Sequence, residues 1–486
     1  MKRLVRQASQ LVTAISLAVP FQAQGQEFVV ERPPQFVMLA FDGSLNLAFW
    51  KASREFAQQA TKEGSSVKFT YFMSGVYFLS KDLRNEYDAP KNGKGKSAIG
   101  FGGTIEDLGP RVNQVNRAID EGHEMASHAN GHFDGGSQKW TLADWRSEFS
   151  QFIHLIFDIF SINKFSPQSP YTQGWQMKKE DIVGFRAPQL GITSGMWPAL
   201  KEFGFKYDTS KSDSPSYWPQ KDSYGLWQFP LAQLKIAGTG KKTLSMDFNF
   251  YVAHSGAADD SSKKELYKKQ TYQTYLKYFE DNYNGNRAPL NIGHHFALWN
   301  GGAYWEAMKD FAKTVCGLPE VKCVTYKEYM NWLERQDAKT LAAYRKGQFQ
   351  KSIPVKLADA GSTLNMGVQV ARKSNDNLMV RPIVANDKDL LALRARFSIN
   401  GQMINQSEIR MQDLRDNFER GEEVNVTAHV YNLNGIEVAR ATQKIKNIGL
   451  ENEELSTEIL ESRAMKGDLP EAHNEENNLQ IKDLMK

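Results

Sequence analysis

The sequence predicts an α/β protein, a barrel or open α/β sheet, followed by a small all-β domain. Three observations predict it. Apolar runs that read as strands alternate with helix-like stretches from about residue 35 to 340, the pattern of parallel strands joined by helical crossovers. Polar and charged residues collect where those strands end, and the carboxyl end of the strands is where α/β barrels build active sites. From about residue 351 the texture changes to short alternating runs such as 424–430, separated by turn signals such as Asn434-Gly435, which reads as a small sandwich.

The elements follow in order. Residues 36–41 form a continuous apolar run suited to a strand buried on both faces. A helix-like stretch continues to Lys62, and 67–72 reads as a second strand. Helical spacing covers 112–121 and 142–157, with a strand at 123–129 between them. A strand at 181–186 ends at Pro188, and the helix 196–203 stops at Gly204. Residues 226–231 and 289–295 are further strands on either side of a long polar helix, 263–283. A helix at 305–315 and a last strand at 322–325 close the pattern. The expected organisation is a leader at 1–25, a catalytic-type domain at 26–345, a β domain at 351–449 and an acidic tail from 450 to 486. That tail is poor in aromatics and reads as mobile or partly helical.

Length and composition agree with this division. A chain of 486 residues exceeds one ordinary core. With 41% hydrophobic and 24% charged residues it is globular rather than disordered. A net charge of +4, part of it in the leader, excludes the clustered basic face that nucleic-acid binding needs. The leader has a basic start (Lys2, Arg3, Arg6), an apolar run at 11–21 too short to span a bilayer, and small residues at Ala23 and Gly25. Export to a periplasm or outside the cell is the expectation, with no integral membrane segment after cleavage. Export permits a disulfide. The two cysteines, Cys316 and Cys323, flank turn-forming Gly317 and Pro319 and are expected to bridge; two buried thiols are the alternative. An aromatic content of 12% suits either a carbohydrate-binding surface or an aromatic core. The Gly- and Lys-rich segment 93–103 reads either as a loop over the cleft or as a solvated surface loop.

Chemistry concentrates in a few places. His128 and His132 stand four apart in Ser127-His128-Ala129-Asn130-Gly131-His132, just past a strand. That spacing can bring two imidazoles onto one divalent ion, zinc first, with cobalt or nickel as alternatives. Asp42 directly follows an apolar strand, where a buried carboxylate is costly unless paired or used. Arg186, in Gly184-Phe185-Arg186-Ala187-Pro188, sits at another strand end and would hold such a carboxylate ionised. His294 and His295 close a further strand, and alternation sends one of them toward the mouth. A zinc peptidase is a poor third reading, because Ala129 stands where its catalytic Glu would be needed.

In that order, these residues resemble the motif series of the polysaccharide deacetylases with NodB homology. Asp181-Ile182-Val183-Gly184-Phe185-Arg186-Ala187-Pro188, Gly225-Leu226-Trp227-Gln228-Phe229-Pro230-Leu231 and Asn286-Arg287-Ala288-Pro289 leading to His295 and Trp299 look most like the insect-type chitin deacetylase branch. The resemblance spans roughly residues 35–335. It implies a distorted (β/α) barrel of the NodB-homology type and metal-dependent hydrolysis of N-acetyl groups on N-acetylglucosamine polymers, peptidoglycan or chitin-like. It implies Asp42 as general base, Arg186 as its partner, His295 (His294 second) as general acid, and His128 and His132 as metal ligands. Trp227, Pro188, His294 and Trp299 would bind substrate, with ordinary core packing the other reading of Trp227. The chain departs from the pattern at Gly43, where the family has a second acid that ligates the metal, and at Ala129, where it has Ser or Thr. Asp134, Asp42 or water would have to complete the site. The loss of one carboxylate keeps a second reading open, a weakened or inactive relative that binds glycans.

Overall fold

In the computed structural model, residues 30–166, 174–318 and 320–349 are described, and beyond them 366–372, 377–384, 394–404, 408–410, 422–431, 437–446 and 457–464. The expected leader therefore lies outside the described residues.

The first strand, β1 (Gln35–Gly43), is buried along nearly its whole length. Helix α1 (Leu47–Lys62) follows it, its first turn capped by the Asn46 carboxamide oxygen accepting from the Phe49 N–H. Then come β2 (Phe69–Met73), α2 (Ile105–Asp120), β3 (Glu124–Ser127), α3 (Leu142–Phe157), β4 (Gly184–Phe185), α4 (Met196–Glu202), β5 (Tyr207–Asp208) and β6 (Trp227–Gln228). Two helices, α5 (Asp247–Ser255) and α6 (Lys264–Tyr283), precede β7 (Leu290–His295). The chain continues through α7 (Trp299–Val315), β8 (Val321–Cys323), α8 (Tyr326–Glu334) and α9 (Ala338–Arg345).

The strands lie in the order β7-β1-β2-β3-β4-β5-β6, all parallel, with β8 added beside β1. The last main strand thus returns beside the first, as a barrel requires, but β6 and β7 do not pair. The segment between them spans the gap: the Asn291 amide donates to the Pro230 carbonyl and the Ser245 hydroxyl to the Asn291 carbonyl. The result is a curled, incompletely closed (β/α) barrel, the fold class that the alternation implied.

Side-chain alternation divides the core in two. Val37, Leu39 and Phe41 of β1 point outward into the cluster beneath the helices. Phe36, Met38 and Ala40 point inward, against Phe72, Tyr207, Phe229 and the helix α8 with Tyr326, Tyr329 and Leu333. Cys316 and Cys323 are joined, tying the end of α7 to β8 as expected. Closing so short a loop contributes about 2–3 kcal/mol on the chain-entropy account.

Differences from the sequence reading have local causes. The strand expected at 181–186 is only Gly184–Phe185, preceded by a short turn of helix, Lys179–Asp181. Helix α5 and the antiparallel pair Leu231–Lys235 and Lys242–Leu244 were not expected; they fill the gap in the barrel. An all-β region follows, as a three-stranded sheet and a five-stranded sheet. Its last strand, Thr457–Ala464, pairs antiparallel with Glu437–Lys446. These eight residues fall inside the stretch read as a mobile or partly helical tail, which is corrected there.

Candidate active site

Strand parity builds the site. Continuing the inward set of β1 past Ala40 brings Asp42 to the inner face at the carboxyl end of the strand. On β7, Leu290 and Ile292 face outward with the helices, so His294 does too and His295 faces in. Asp42 and His295 are register partners on adjacent strands. Met125 points outward from β3, which places His128 inward, and Phe185 points outward from β4, which places Arg186 inward.

Arg186 is the hub. Its Nη1 donates to Asp42 Oδ1 at 2.6 Å, its Nε to the Thr209 hydroxyl at 2.6 Å and its Nη2 to the Tyr326 hydroxyl at 3.2 Å. The guanidinium lies 4.4 Å over the Phe72 ring. Gly293 makes room for it: a Cβ there would lie 3.1 Å from Nη1. Burial would raise the Asp42 carboxyl, but the Arg186 guanidinium, helped by His128 and His295, holds it below its ordinary value. Asp42 is therefore an ionised, buried carboxylate with a fixed partner.

The backbone carbonyl of Arg186 orients the first imidazole. It accepts from His128 Nδ1 at 2.8 Å. A carbonyl only accepts, so Nδ1 carries the proton and Nε2 holds the lone pair. Nε2 is buried and has no hydrogen-bond partner. Burial pushes His128 down to about 3 and lowers His132, so both rings are neutral at ordinary pH. The two ring centroids are 5.2 Å apart. Pro188 is buried in the turn after Arg186, and the next residue, Gln189, donates through its side chain to the His132 carbonyl.

His295 is set differently. Its ring Nδ1 and its backbone N–H both meet Asp247, at 2.7 and 2.8 Å. Burial opposes protonation of His295, but the Asp247 carboxylate outweighs it and raises the imidazole above its ordinary 6.5. The side chain is 24% exposed. His294 is fully buried, shares a hydrogen bond with the Tyr275 hydroxyl, and is pushed down by burial to about 4. Trp299 flanks His295 at 5.2 Å between centroids and stacks on Tyr251, with the exposed ring of Phe248 at 5.4 Å.

Asp42, Arg186, His128, His132 and His295 thus meet at one mouth. Asp247 was not foreseen. It begins α5, where a helix N-terminus favours an acid, and the only sequence signal was an Asp heading the aromatic stretch Phe248-Asn249-Phe250-Tyr251. Trp227 takes the second of its two readings, core packing. Its indole N–H donates to Glu334 at the far end of α8, while Tyr326 at the near end reaches Arg186. Eight residue steps of helix separate those ends by about 12 Å. Trp227 packs in the inner core beside Lys221 rather than forming a wall around a substrate group.

The donor set was tested against a divalent ion. The orphaned Nε2 of His128, its other nitrogen anchored on a carbonyl, has the form of a metal-ligating histidine. A third protein ligand is lacking: among the described residues no group of three or more His, Cys, Asp or Glu is placed to hold a metal. Asp134 accepts from the Ser137 N–H within its own turn. Gly43 supplies no side chain, and its φ of +95° is one an L-residue rarely adopts. The residues fit an ion held by two imidazoles, with water or substrate completing the shell.

No protein-family model matches the chain, and no curated protein sequence does. Among solved structures, the chain is similar to a Mycobacterium smegmatis protein provisionally described as a polysaccharide deacetylase, at 14% identity and a TM-score of 0.37, over 68% of this chain and 99% of that one. It is similar to a family 4 carbohydrate esterase from Streptomyces lividans in complex with acetate, at 12% identity and a TM-score of 0.29, over 59% and 90% of the two chains. It is also similar to a variant of the peptidoglycan deacetylase PdaC from Bacillus subtilis, at 11% identity and a TM-score of 0.32, over 64% and 98%. Likeness this remote does not assign a function, and the insect-type branch gains no support from it.

Proposed function

We propose that the chain is an exported, metal-dependent deacetylase of the NodB-homology type, hydrolysing N-acetyl groups on N-acetylglucosamine polymers. The observation that carries this is the pairing of opposite protonation states across one mouth. Asp42 is held ionised by Arg186, and the Asp247 carboxylate favours the protonated form of His295. Two neutral imidazoles lie beside them. An amide hydrolase needs one group to take a proton from water and another to give one to the leaving nitrogen.

His128 Nε2 and His132 would hold the divalent ion, zinc or in its place cobalt or nickel. Such an ion polarises a carbonyl and lowers the pKa of water. Asp42 accepts the water proton at its carboxylate. Arg186 keeps that carboxylate ionised and oriented through its bonds to Thr209 and Tyr326. His295 gives its Nε2 proton to the amine nitrogen as the C–N bond breaks, leaving acetate and a free amine. Asp247 holds the His295 ring and its charge. Trp299, with Phe248, offers ring faces beside His295 for a sugar, and Pro188 shapes the turn beside His132.

A second reading has its own observation. Gly43 leaves the ion without a protein carboxylate, and a loosely held ion would make the chain a weakened relative that binds glycans without turning them over. Bound metal and acetate release measured on one preparation separate the two. Release from chitin oligomers or peptidoglycan that needs metal and disappears in Asp42→Asn and His128→Ala supports the enzyme. Retained glycan binding with no release under zinc, cobalt or nickel supports the binding protein.

A further inference from the structure

Both imidazoles sit on one short loop, residues 128–132, whose backbone is held in a costly shape. Ala129 and His132 have φ of +55° and +59°, a left-handed conformation that disfavours residues with a Cβ by about 1–2 kcal/mol each. Something outside the loop must hold it. The Ala129 and Gly131 carbonyls are held by the Gly75 and Ala98 N–H groups, and the N–H groups of Asn130 and Gly131 lead to a single side chain. Glu148, on α3 and almost fully buried, accepts from the Asn130 N–H through Oε1 at 2.8 Å. Through Oε2 it accepts from the Tyr87 hydroxyl at 2.9 Å, and that hydroxyl accepts from the Gly131 N–H at 3.2 Å. The main-chain carbonyl of Glu148 accepts from the Asn130 side-chain amide at 2.8 Å. Two successive N–H groups of the loop therefore end on one carboxylate, directly and through one phenol. No Lys, Arg or His among the described residues pairs with that carboxylate. Burying an acid without a cation is costly, so its hydrogen bonds to the loop are what the residue contributes.

We propose that Glu148, acting with Tyr87, is a positioning residue that sets the separation and aim of the His128 and His132 imidazoles. The proposal rests on those two residues holding a divalent ion. It touches neither the ion nor the substrate; it acts through the loop. The Ser127 hydroxyl accepts from the Ala129 N–H, and α3 supplies the acceptor for the next two N–H groups, directly and through Tyr87. A carboxamide at position 148 would preserve volume but offer only one acceptor oxygen, so Glu148→Gln would keep the Asn130 bond and lose the proton acceptor of Tyr87.

The test compares Glu148→Gln and Tyr87→Phe with Leu155→Ala, a buried substitution on the same helix whose apolar side chain makes none of these hydrogen bonds. At pH 8, above the value of about 7 to which burial pushes the Glu148 carboxyl, zinc affinity is measured by calorimetry, and amide exchange at Asn130 and Gly131 is followed in metal-free protein. Both clamp variants are expected to lose about tenfold or more in zinc affinity, the scale of supporting-shell effects. They should also lose protection at those two amides. Leu155→Ala should lower thermal stability with zinc affinity unchanged. Wild-type affinity in Glu148→Gln, or an equal loss in Leu155→Ala, overturns the proposal. If the wild-type chain binds no zinc, the metal reading falls. The metal-free amide exchange then decides the clamp by itself, unchanged protection in Glu148→Gln overturning it.

Discussion

Single residues decide what this mouth can do, and two of them make sharp predictions. Asp247 holds His295 charged, so activity should fall on the alkaline side as that imidazole loses its proton, at a pH above its ordinary 6.5. Asp247→Asn removes the partner that opposes burial, so the alkaline limb of the kcat/KM profile should move to lower pH. An unmoved limb would mean that another group is the acid. Gly43 is the second case. Gly43→Asp would restore the second acid of the pattern that the sequence resembles, and a Cβ there meets the Tyr77 ring at an ordinary 3.8 Å. The obstacle is the backbone, since φ is +95°. The variant should bind zinc more tightly yet lose about 1–2 kcal/mol of stability, read by metal titration and thermal melting together. At this scale the sequence was legible where chemistry and strand parity coincide: Asp42, Arg186, His128 and His295 were all placed by strand ends. Asp247 was not, because it reaches the site from a helix that fills the gap in the barrel, and no periodicity announces such a contact.

Among elements, the long and strongly patterned ones were readable and the short ones were not. β1, α3 and α6 lie where their runs and spacing put them, since many residues vote for one conformation. β4, β5 and β6 are two residues each, and their positions depend on neighbours rather than on their own composition. That is why Trp227 was left between substrate binding and core packing: a motif shows that a strand exists, not which end of helix α8 its side chain meets. The placement can be checked. Trp227→Phe removes the hydrogen bond to Glu334 and should cost about 1 kcal/mol of stability while leaving KM for chitin oligomers unchanged. Trp299→Ala, beside His295, should raise KM with little change in the melting temperature. A raised KM in Trp227→Phe would restore that residue to the substrate site.

For the whole molecule, the buried titratable groups set how stability depends on pH. Burial lowers His132 and pushes four other imidazoles down further, His123 and His128 to about 3, His254 and His294 to about 4, from an ordinary 6.5. Burial also pushes three carboxyls up, Glu124 and Glu148 to about 7 and Asp208 to about 6, from ordinary values of 4.5 and 3.8. Between about pH 4.5 and 6, unfolding lets the four imidazoles take up protons and makes the three carboxyls release theirs. The balance is a net uptake of about one proton, so stability should fall only gently as pH falls through this window. Below about 4.5 the two glutamates are protonated in both states and no longer compensate. Asp42 and Asp247, held below their ordinary value, then add to the proton uptake on unfolding. Stability should therefore drop steeply below about pH 4.5. Above about pH 6.5 the unfolded imidazoles lose their protons, so this uptake fades, while the glutamates and His295 still lose protons on unfolding, and the sign reverses before pH 7. The maximum should lie near pH 6.5. Urea unfolding followed by tryptophan fluorescence tests this for the barrel alone, since all 10 Trp fall between residues 50 and 332. Glu148→Gln sharpens the test. Removing one of the three compensating carboxyls raises the net uptake from about one proton to about two between pH 4.5 and 6. The slope of stability against pH should then roughly double there, by about 1.4 kcal/mol per pH unit. An unchanged slope would mean that Glu148 is ionised in the folded protein at those pH values, with the loop's hydrogen bonds outweighing its burial.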